Sequence, residues 1–486
     1  MQRGISRRRM LALGGGASAA LLAPARAAAA TAPARLTVSG EESGRSTAYI
    51  GADRGITRFD ISDIRDLGIN AYRFYGGMGP WEYLDDDGVF GSPSIEQIKA
   101  DPGIVNWEWW DNVFTHPPEG SPFWYATDPG VGWQGNWRQI FGPLRDHGVR
   151  PIVSLRVQNA QNQPDWAAAL NPPNTEAGRN EWLEHVFSVV YWMNVRNDYR
   201  VDDWEIGNEA NHPGQGWAGT EADYWDFARL THDAIDYVYR RFLPHRRPRI
   251  YAPVSAGTSV NEAGERFGWI KDALQKVPEC FDCVDYHDFS DDPTQNIRDV
   301  HSVMDAAGQG DRELWITEWG PVYDGAETYD QVSGGLLMLQ NLIRMSRPGA
   351  DHVDGNCIVN LYDSPTRKYL VGRDGERRTG FYAMRMGIRA LQGSRPWFAT
   401  TSDTADLLAA TTRTRDGIDL LVTNANTTRT YDVAADLSRL ARRGHGELRE
   451  FSARVQDEVV DRISLTGGTA NFAVPAGGAV LAHFAR

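Results

Sequence analysis

Two glutamates occupy matching contexts, Trp204-Glu205-Ile206-Gly207-Asn208-Glu209 and Trp315-Ile316-Thr317-Glu318-Trp319-Gly320. Each follows a short apolar, β-branched or aromatic run that reads as a strand, so each carboxylate lies at or just past a strand end. Two carboxyl groups on either side of a glycosidic bond can break it, one protonating the leaving oxygen while the other attacks the sugar carbon. In the retaining version of that chemistry they stand about 5–5.5 Å apart. Glu209 must then be protonated when the leaving group departs, and Glu318 ionised when it attacks. Once a glycosyl ester has consumed the charge on Glu318, Glu209 can turn base and activate water. A single strand-end glutamate would as readily cap a helix or pair with an arginine. Two in these contexts point instead to one shared cleft. Asn208, beside the acid, can hold a sugar 2-hydroxyl through its amide or cap the start of a helix.

Positioning two such groups needs a scaffold that brings distant strand ends together. Strand-like runs recur at 48–51, 71–75, 151–155, 203–206, 250–254, 283–287, 314–318 and 357–362, with helix-like stretches between them, including 59–67, 181–190 and 382–391. Strands alternating with helices imply a parallel α/β architecture, and eight of them are the count of a (β/α)8 TIM barrel, whose active sites form at the carboxyl ends of the strands. The barrel is expected over residues 45–395. Beyond Pro396 the texture changes to short alternating strands separated by Gly, Asn and Asp turns, which predicts a C-terminal antiparallel β-sandwich over 397–486. The segment around Leu36-Thr37-Val38 is available to lend that module a strand.

The remaining composition bounds the function. With 486 residues, 41% hydrophobic and 23% charged, the chain is long enough for two folded modules and too apolar for a disordered one. Residues 1–27, with Ser6-Arg7-Arg8-Arg9-Met10-Leu11 ahead of a weakly apolar stretch ending in Ala25-Arg26-Ala27, read as a twin-arginine export signal. Export to a secreted or extracytoplasmic location is therefore expected. Loss of its five arginines would take the net charge from −14 to −19, a poor match for nucleic acid or an anionic membrane. No later run is apolar and long enough to span a bilayer.

Three cysteines imply no disulfide framework. Cys280-x-x-Cys283 lacks the second ligand pair of a metal site, and small buried side chains or a local bridge are expected there. Asp85-Asp86-Asp87-Gly88 lacks the alternating acids and terminal Glu of a calcium loop. It reads as a solvated turn, and neither metal nor cofactor is expected.

With Asn208-Glu209 after the fourth strand and Glu318 after the seventh, the sequence resembles clan A glycoside hydrolases across the barrel. Within the clan, Glu318-Trp319-Gly320 and the barrel-plus-sandwich arrangement are similar to family 39, which groups β-xylosidases and iduronidases. Gly207-Asn208-Glu209 is closer to families 51 and 79, of arabinofuranosidases and glucuronidases. The resemblance implies a carbohydrate substrate, Glu209 as acid/base and Glu318 as nucleophile. It also implies that Arg73 keeps the nucleophile ionised and that Tyr286 or His287, after the sixth strand, contacts it. Trp319 or Tyr362 would line the sugar pocket, with one or two of the many tryptophans. Concentrations of these fall at Trp107, Trp109 and Trp110 and at Trp124, Trp133 and Trp137, where large hydrophobic anchoring explains most of them. The insertion over 76–148 could wall off one end of the cleft and favour exo action. Passing the sugar to an acceptor other than water, or binding glycans without cleaving them, would use the same scaffold.

Overall fold

The described residues of the computed structural model are 32–485, less 54–58, 83–84, 116–136, 158–164, 258–259, 322–325, 363–367 and 373. The export signal read at 1–27 lies outside them, as do Trp124 and Trp133.

The first strand, β1 (Ala34–Arg45), leads away from the barrel, which is built from the next eight: β2 (Tyr49–Asp53), β3 (Ala71–Tyr75), β4 (Arg150–Leu155), β5 (Asp203–Ile206), β6 (Arg249–Ala256), β7 (Cys283–Asp288), β8 (Glu313–Trp319) and β9 (Gly355–Ile358). Each pairs parallel with the next, and β9 closes onto β2. All eight expected strands are present in order. The last ends at Ile358, so residues 359–362 lie past the strand that was expected to contain them.

Because side chains alternate along a strand, every second residue fills the barrel. Ala71, Tyr251, Cys283, Trp315 and Cys357 form a buried floor. Gly355 makes room for the Trp315 indole, since a Cβ there would lie 2.3 Å from the ring. Two residues further along their strands, Asp53, Arg73, Glu205 and Asp285 make a second, charged layer with 0% exposure. The opposite faces carry Ile50, Tyr72, Val153, Trp204, Val284 and Ile316 into the larger core shared with the surrounding helices. Helix ends are closed locally. Asp60 accepts the backbone N–H of Ser62 at the start of Ile61–Leu67, and Gly68, at φ +86°, ends that helix. Thr220 and Asp223 form a capping box on Glu221–Phe242.

The insertion between β3 and β4 carries the helices Ile95–Ala100, Trp107–Thr115 and Trp137–Asp146. Trp110 and Trp137 are buried in its aromatic core, stacked against Phe114 and Phe141 respectively, so their bulk serves packing. All three cysteines are free and buried, Cys283 and Cys357 as floor residues, with no local bridge. The triple-aspartate turn departs from expectation, because Asp86 is 6% exposed and only Asp87 is open to solvent.

The C-terminal module comprises β10 (Pro396–Ser402), β11 (Leu407–Arg413), β12 (Gly417–Asn424), β13 (Tyr431–Asp436), β14 (Arg443–Phe451), β15 (Gln456–Thr466), β16 (Thr469–Val474) and β17 (Ala479–Ala485). With β1 they form one sheet closed on itself, so the two faces expected of a sandwich are joined by continuous pairing. As the sequence suggests, the Leu36 segment contributes a strand, antiparallel to β10 and parallel to β13. Phe451, Leu421, Ala479 and Leu481 join the core of the first barrel, and Arg385 of the helix Thr379–Leu391 donates to Asp457 at 2.6 Å. Among the described residues, no helix is long and apolar enough to cross a membrane.

Candidate active site

Above the charged layer the strand ends turn inward. β8 carries one residue more than β7 between the pairs Asp285↔Trp315 and His287↔Glu318, and a bulge of this kind re-aims side chains. Thr317 and Glu318 consequently both face the barrel axis. Thr317 donates its N–H and hydroxyl to Asp285 at 3.1 and 2.7 Å, while Glu318 reaches across to Arg73. After β5 the chain passes through Gly207 at φ +75° and Glu209 at φ +45°. The Glu209 N–H donates to Val254 O at 2.7 Å, which holds this non-glycine residue in the sparsely populated left-handed region, a cost typical of functional positions.

Arg73 organises the centre. Its Nε donates to both Glu205 oxygens at 2.6 and 2.7 Å, Nη1 to Glu318 Oε1 at 2.6 Å and to Asp53 at 3.1 Å, and Nη2 to Asn208 Oδ1 at 2.8 Å. Burial would pull its pKa down, but Glu205, Glu318 and Asp53 outweigh it and hold the guanidinium charged. Tyr75, two residues along the same strand face, donates its hydroxyl to Glu318 Oε1, and Arg156 lies 3.8 Å over the Tyr75 ring.

Glu209 is bracketed by two partners. His287 Nδ1 stands 2.6 Å from Oε1 and Gln215 Nε2 donates to Oε2 at 2.9 Å. His287 Nδ1 is also 3.8 Å from Glu318 Oε2, so the imidazole lies between the two acids. Burial lowers its pKa, yet Glu318 and Glu209 together raise it above the usual histidine value. One layer below, burial and then Glu205 push Asp285 up to about 7. The nearest oxygens of Glu209 and Glu318 are within 4.8 Å of each other.

The sequence-selected residues therefore separate into two groups. Glu209, Glu318, Asn208, Arg73 and His287 converge. Tyr286 does not, because it points out of the barrel, with its hydroxyl toward Asp288 at 3.5 Å and its ring against Phe267. Trp319 also faces outward and donates to Asn356 at 2.9 Å. Tyr362 is 0% exposed and bonded to the backbone of Asp60. Neither of these two offers an open face to a sugar. Sequence reasoning passed over Tyr75, Gln215, Glu205, Asp53, Asp285 and Thr317. For Tyr75 the signal was available, since it shares the Ala71 and Arg73 face of β3. For Glu205 and Asp285 it was a carboxylate inside a buried strand.

Glu209, His287 and Glu318 also have the proximity of a metal triad. Their donors fit one poorly, because Nδ1 is engaged with Glu209 and Glu318 is held by Arg73, whose charge would repel a cation. The arrangement suits proton transfer and nucleophilic attack.

No protein-family model matches the chain. None of the curated proteins matches it either. Among solved structures, a glucosidase from Croceicoccus marinus is similar in fold, with TM-score 0.66 and 14% identity, covering 93% of this chain and 99% of that one. A family 30 endoxylanase from Clostridium papyrosolvens gives TM-score 0.61 at 12% identity, with coverage of 93% and 100%. The family 39 enzyme of Xanthomonas axonopodis pv. citri gives TM-score 0.61 at 15% identity, with coverage of 96% and 99%. These likenesses establish the barrel and its appended β module over nearly the whole chain.

Proposed function

We propose that this chain is a retaining glycoside hydrolase, with Glu318 as nucleophile and Glu209 as acid/base. The observation that carries the reading is the approach of their carboxylate oxygens to within 4.8 Å across the mouth of the barrel. Inverting pairs stand about 6.5–9.5 Å apart to admit a water, whereas retaining pairs close to about 5–5.5 Å. The glucosidase and endoxylanase descriptions of structural neighbours support hydrolysis of a glycosidic bond.

In the first step Glu318 attacks the anomeric carbon while Glu209 gives its proton to the glycosidic oxygen. The carbon–oxygen bond breaks, the aglycone leaves as an alcohol, and a glycosyl ester remains on Glu318. In the second step Glu209 takes a proton from water, whose oxygen attacks the same carbon and expels the Glu318 carboxylate. Two displacements restore the original anomeric configuration. Arg73 and Tyr75 hold the attacking carboxylate ionised and aimed, since hydrogen bonds and a nearby cation favour its charged form. His287, with Nδ1 2.6 Å from Glu209 and 3.8 Å from Glu318, orients the acid/base between its two proton transfers. Asn208, fixed by Arg73, presents its amide beside the acid, the place for a sugar 2-hydroxyl. The leader motif at 1–27 supports action outside the cytoplasm.

The test is hydrolysis of a panel of nitrophenyl glycosides and plant polysaccharides by the mature protein, beside Glu209→Gln and Glu318→Gln. Release by the wild type, lost in Glu318→Gln, is the expected result. Undiminished release by Glu318→Gln would overturn the assignment.

A further inference from the structure

The turn that follows Glu209 returns one side chain to it. His212, Pro213 and Gly214 are exposed, whereas Gln215, next along, is half-buried. The backbone of this segment is tied throughout. Glu209 O accepts from the His212 N–H at 2.8 Å, and His212 O from the Gln215 N–H at 2.9 Å. The His212 ring accepts from the Gly214 N–H at 3.1 Å, and Gly216, at φ +77°, ends the turn. Asn211 Oδ1 accepts from the Ala256 N–H at 2.8 Å, and Asn171 Nδ2 donates to Gly216 O. A braced frame thus delivers the Gln215 side chain to the cleft.

Its carboxamide bridges Glu209 and Asn208. Nε2 lies 2.9 Å from Glu209 Oε2, and Oε1 lies 3.4 Å from Asn208 Nδ2. The neighbouring cation decides which end of each amide is which. A guanidinium has donors only, so the Asn208 atom 2.8 Å from Arg73 Nη2 is its oxygen. Asn208 consequently turns its NH2 to Gln215, which presents its oxygen to Asn208 and its own NH2 to Glu209. Arg73, Asn208, Gln215 and Glu209 form a chain of donors that runs one way, and in such a chain each bond polarises the next. His287 takes the other oxygen of Glu209, with Nδ1 2.6 Å from Oε1. A partner on each oxygen, one from β7 and one from the turn after β5, holds the carboxyl plane against rotation.

We propose that Gln215 is a positioning residue of the acid/base: resting on the glycosidase reading above, it holds the Glu209 carboxyl in the plane from which its proton reaches the glycosidic oxygen, and it locks that plane to Asn208. Proton transfer depends on such alignment, because a misplacement of about 1 Å can cost on the order of 100-fold in rate. The role carries a signature in the leaving group. An alkoxide has to be protonated as it departs, so its glycoside depends on the acid. A dinitrophenolate leaves as a stable anion and does not. A residue that only shaped the loop would affect both glycosides alike.

The experiment compares the mature wild type with Gln215→Met, which keeps the bulk and removes both hydrogen bonds, on the methyl and dinitrophenyl glycosides of the sugar released from the nitrophenyl panel. Gln215→Met should lower kcat/KM roughly 10–100-fold on the methyl glycoside and less than about 3-fold on the dinitrophenyl glycoside, part of the contribution of general acid catalysis, with Tm unchanged. Gln215→Glu keeps an acceptor for Asn208 and loses the donor for Glu209, so it should fall at least as far on the methyl glycoside. The glycosidase reading stands or falls on the wild type and Glu318→Gln, assayed alongside, and the role of Gln215 on the ratio between the two glycosides. Equal losses on both would make Gln215 a structural part of the turn and overturn the proposal. An undiminished or raised kcat/KM on the methyl glycoside would overturn it too.

Discussion

Arg73 Nη1 lies 2.6 Å from Glu318 Oε1, and the same guanidinium donates through Nε to Glu205 at 2.6 and 2.7 Å. One buried cation thus serves both the residue proposed to attack and a carboxylate beneath it, and the sequence separates these three residues widely. Arg73→Met leaves Asp53, Glu205 and Glu318 together without a counter-charge. Breaking a buried pair in this way costs about 3–5 kcal/mol of stability, so a marked fall in Tm is expected with kcat/KM down at least about 100-fold. Arg73→Lys keeps the charge but not the planar fork. It should recover more stability than activity, and equal recovery of both would argue that Arg73 only balances charge.

The Tyr75 hydroxyl donates to Glu318 Oε1, the oxygen that also accepts from Arg73. A hydrogen bond to a charged group contributes about 1.5–3 kcal/mol, which corresponds to roughly 10–100-fold in rate. Tyr75→Phe should therefore lower kcat by that factor with Tm nearly unchanged, measured by steady-state kinetics on the best glycoside of the panel. A full-rate Tyr75→Phe enzyme would remove Tyr75 from the nucleophile's support.

His287 has a folded pKa raised above its ordinary value, with burial opposed by Glu318 and Glu209. Raising a folded-state pKa means that the folded protein binds the imidazolium more tightly than the unfolded chain does. That contribution is complete below about pH 6.5 and is lost as pH rises through the raised value. Tm scanned from about pH 6 to about pH 9 should fall more steeply for wild type than for His287→Gln. Parallel curves would mean that the histidine does not carry this proton.

Much of this site was legible in the strand ends. Arg73, Asn208, Glu209 and Glu318 could be chosen because each sits at the carboxyl end of a strand that the sequence marks clearly, and barrel closure brings those ends together. The choice between Tyr286 and His287 stayed open in the sequence, yet two-residue alternation settles it. Cys283 fills the floor and Asp285 the charged layer, so His287 continues inward and Tyr286 faces out. Alternation fails at β8, where the added residue turns both Thr317 and Glu318 inward, and no local pattern announces that bulge. Gln215 lies in a loop that only the folded chain carries back to Glu209. Asp86 read as solvated because its neighbours are charged, yet it is buried, with its carbonyl accepting from Asn106 some twenty residues further along the same insertion.

The central claim is a double displacement through Glu318, and the stereochemistry of the product reads it directly. Proton NMR of the sugar released in the first minutes, before mutarotation, should show the same anomeric configuration as the substrate. A product of inverted configuration would contradict the account, since a single displacement by water leaves no place for an ester on Glu318.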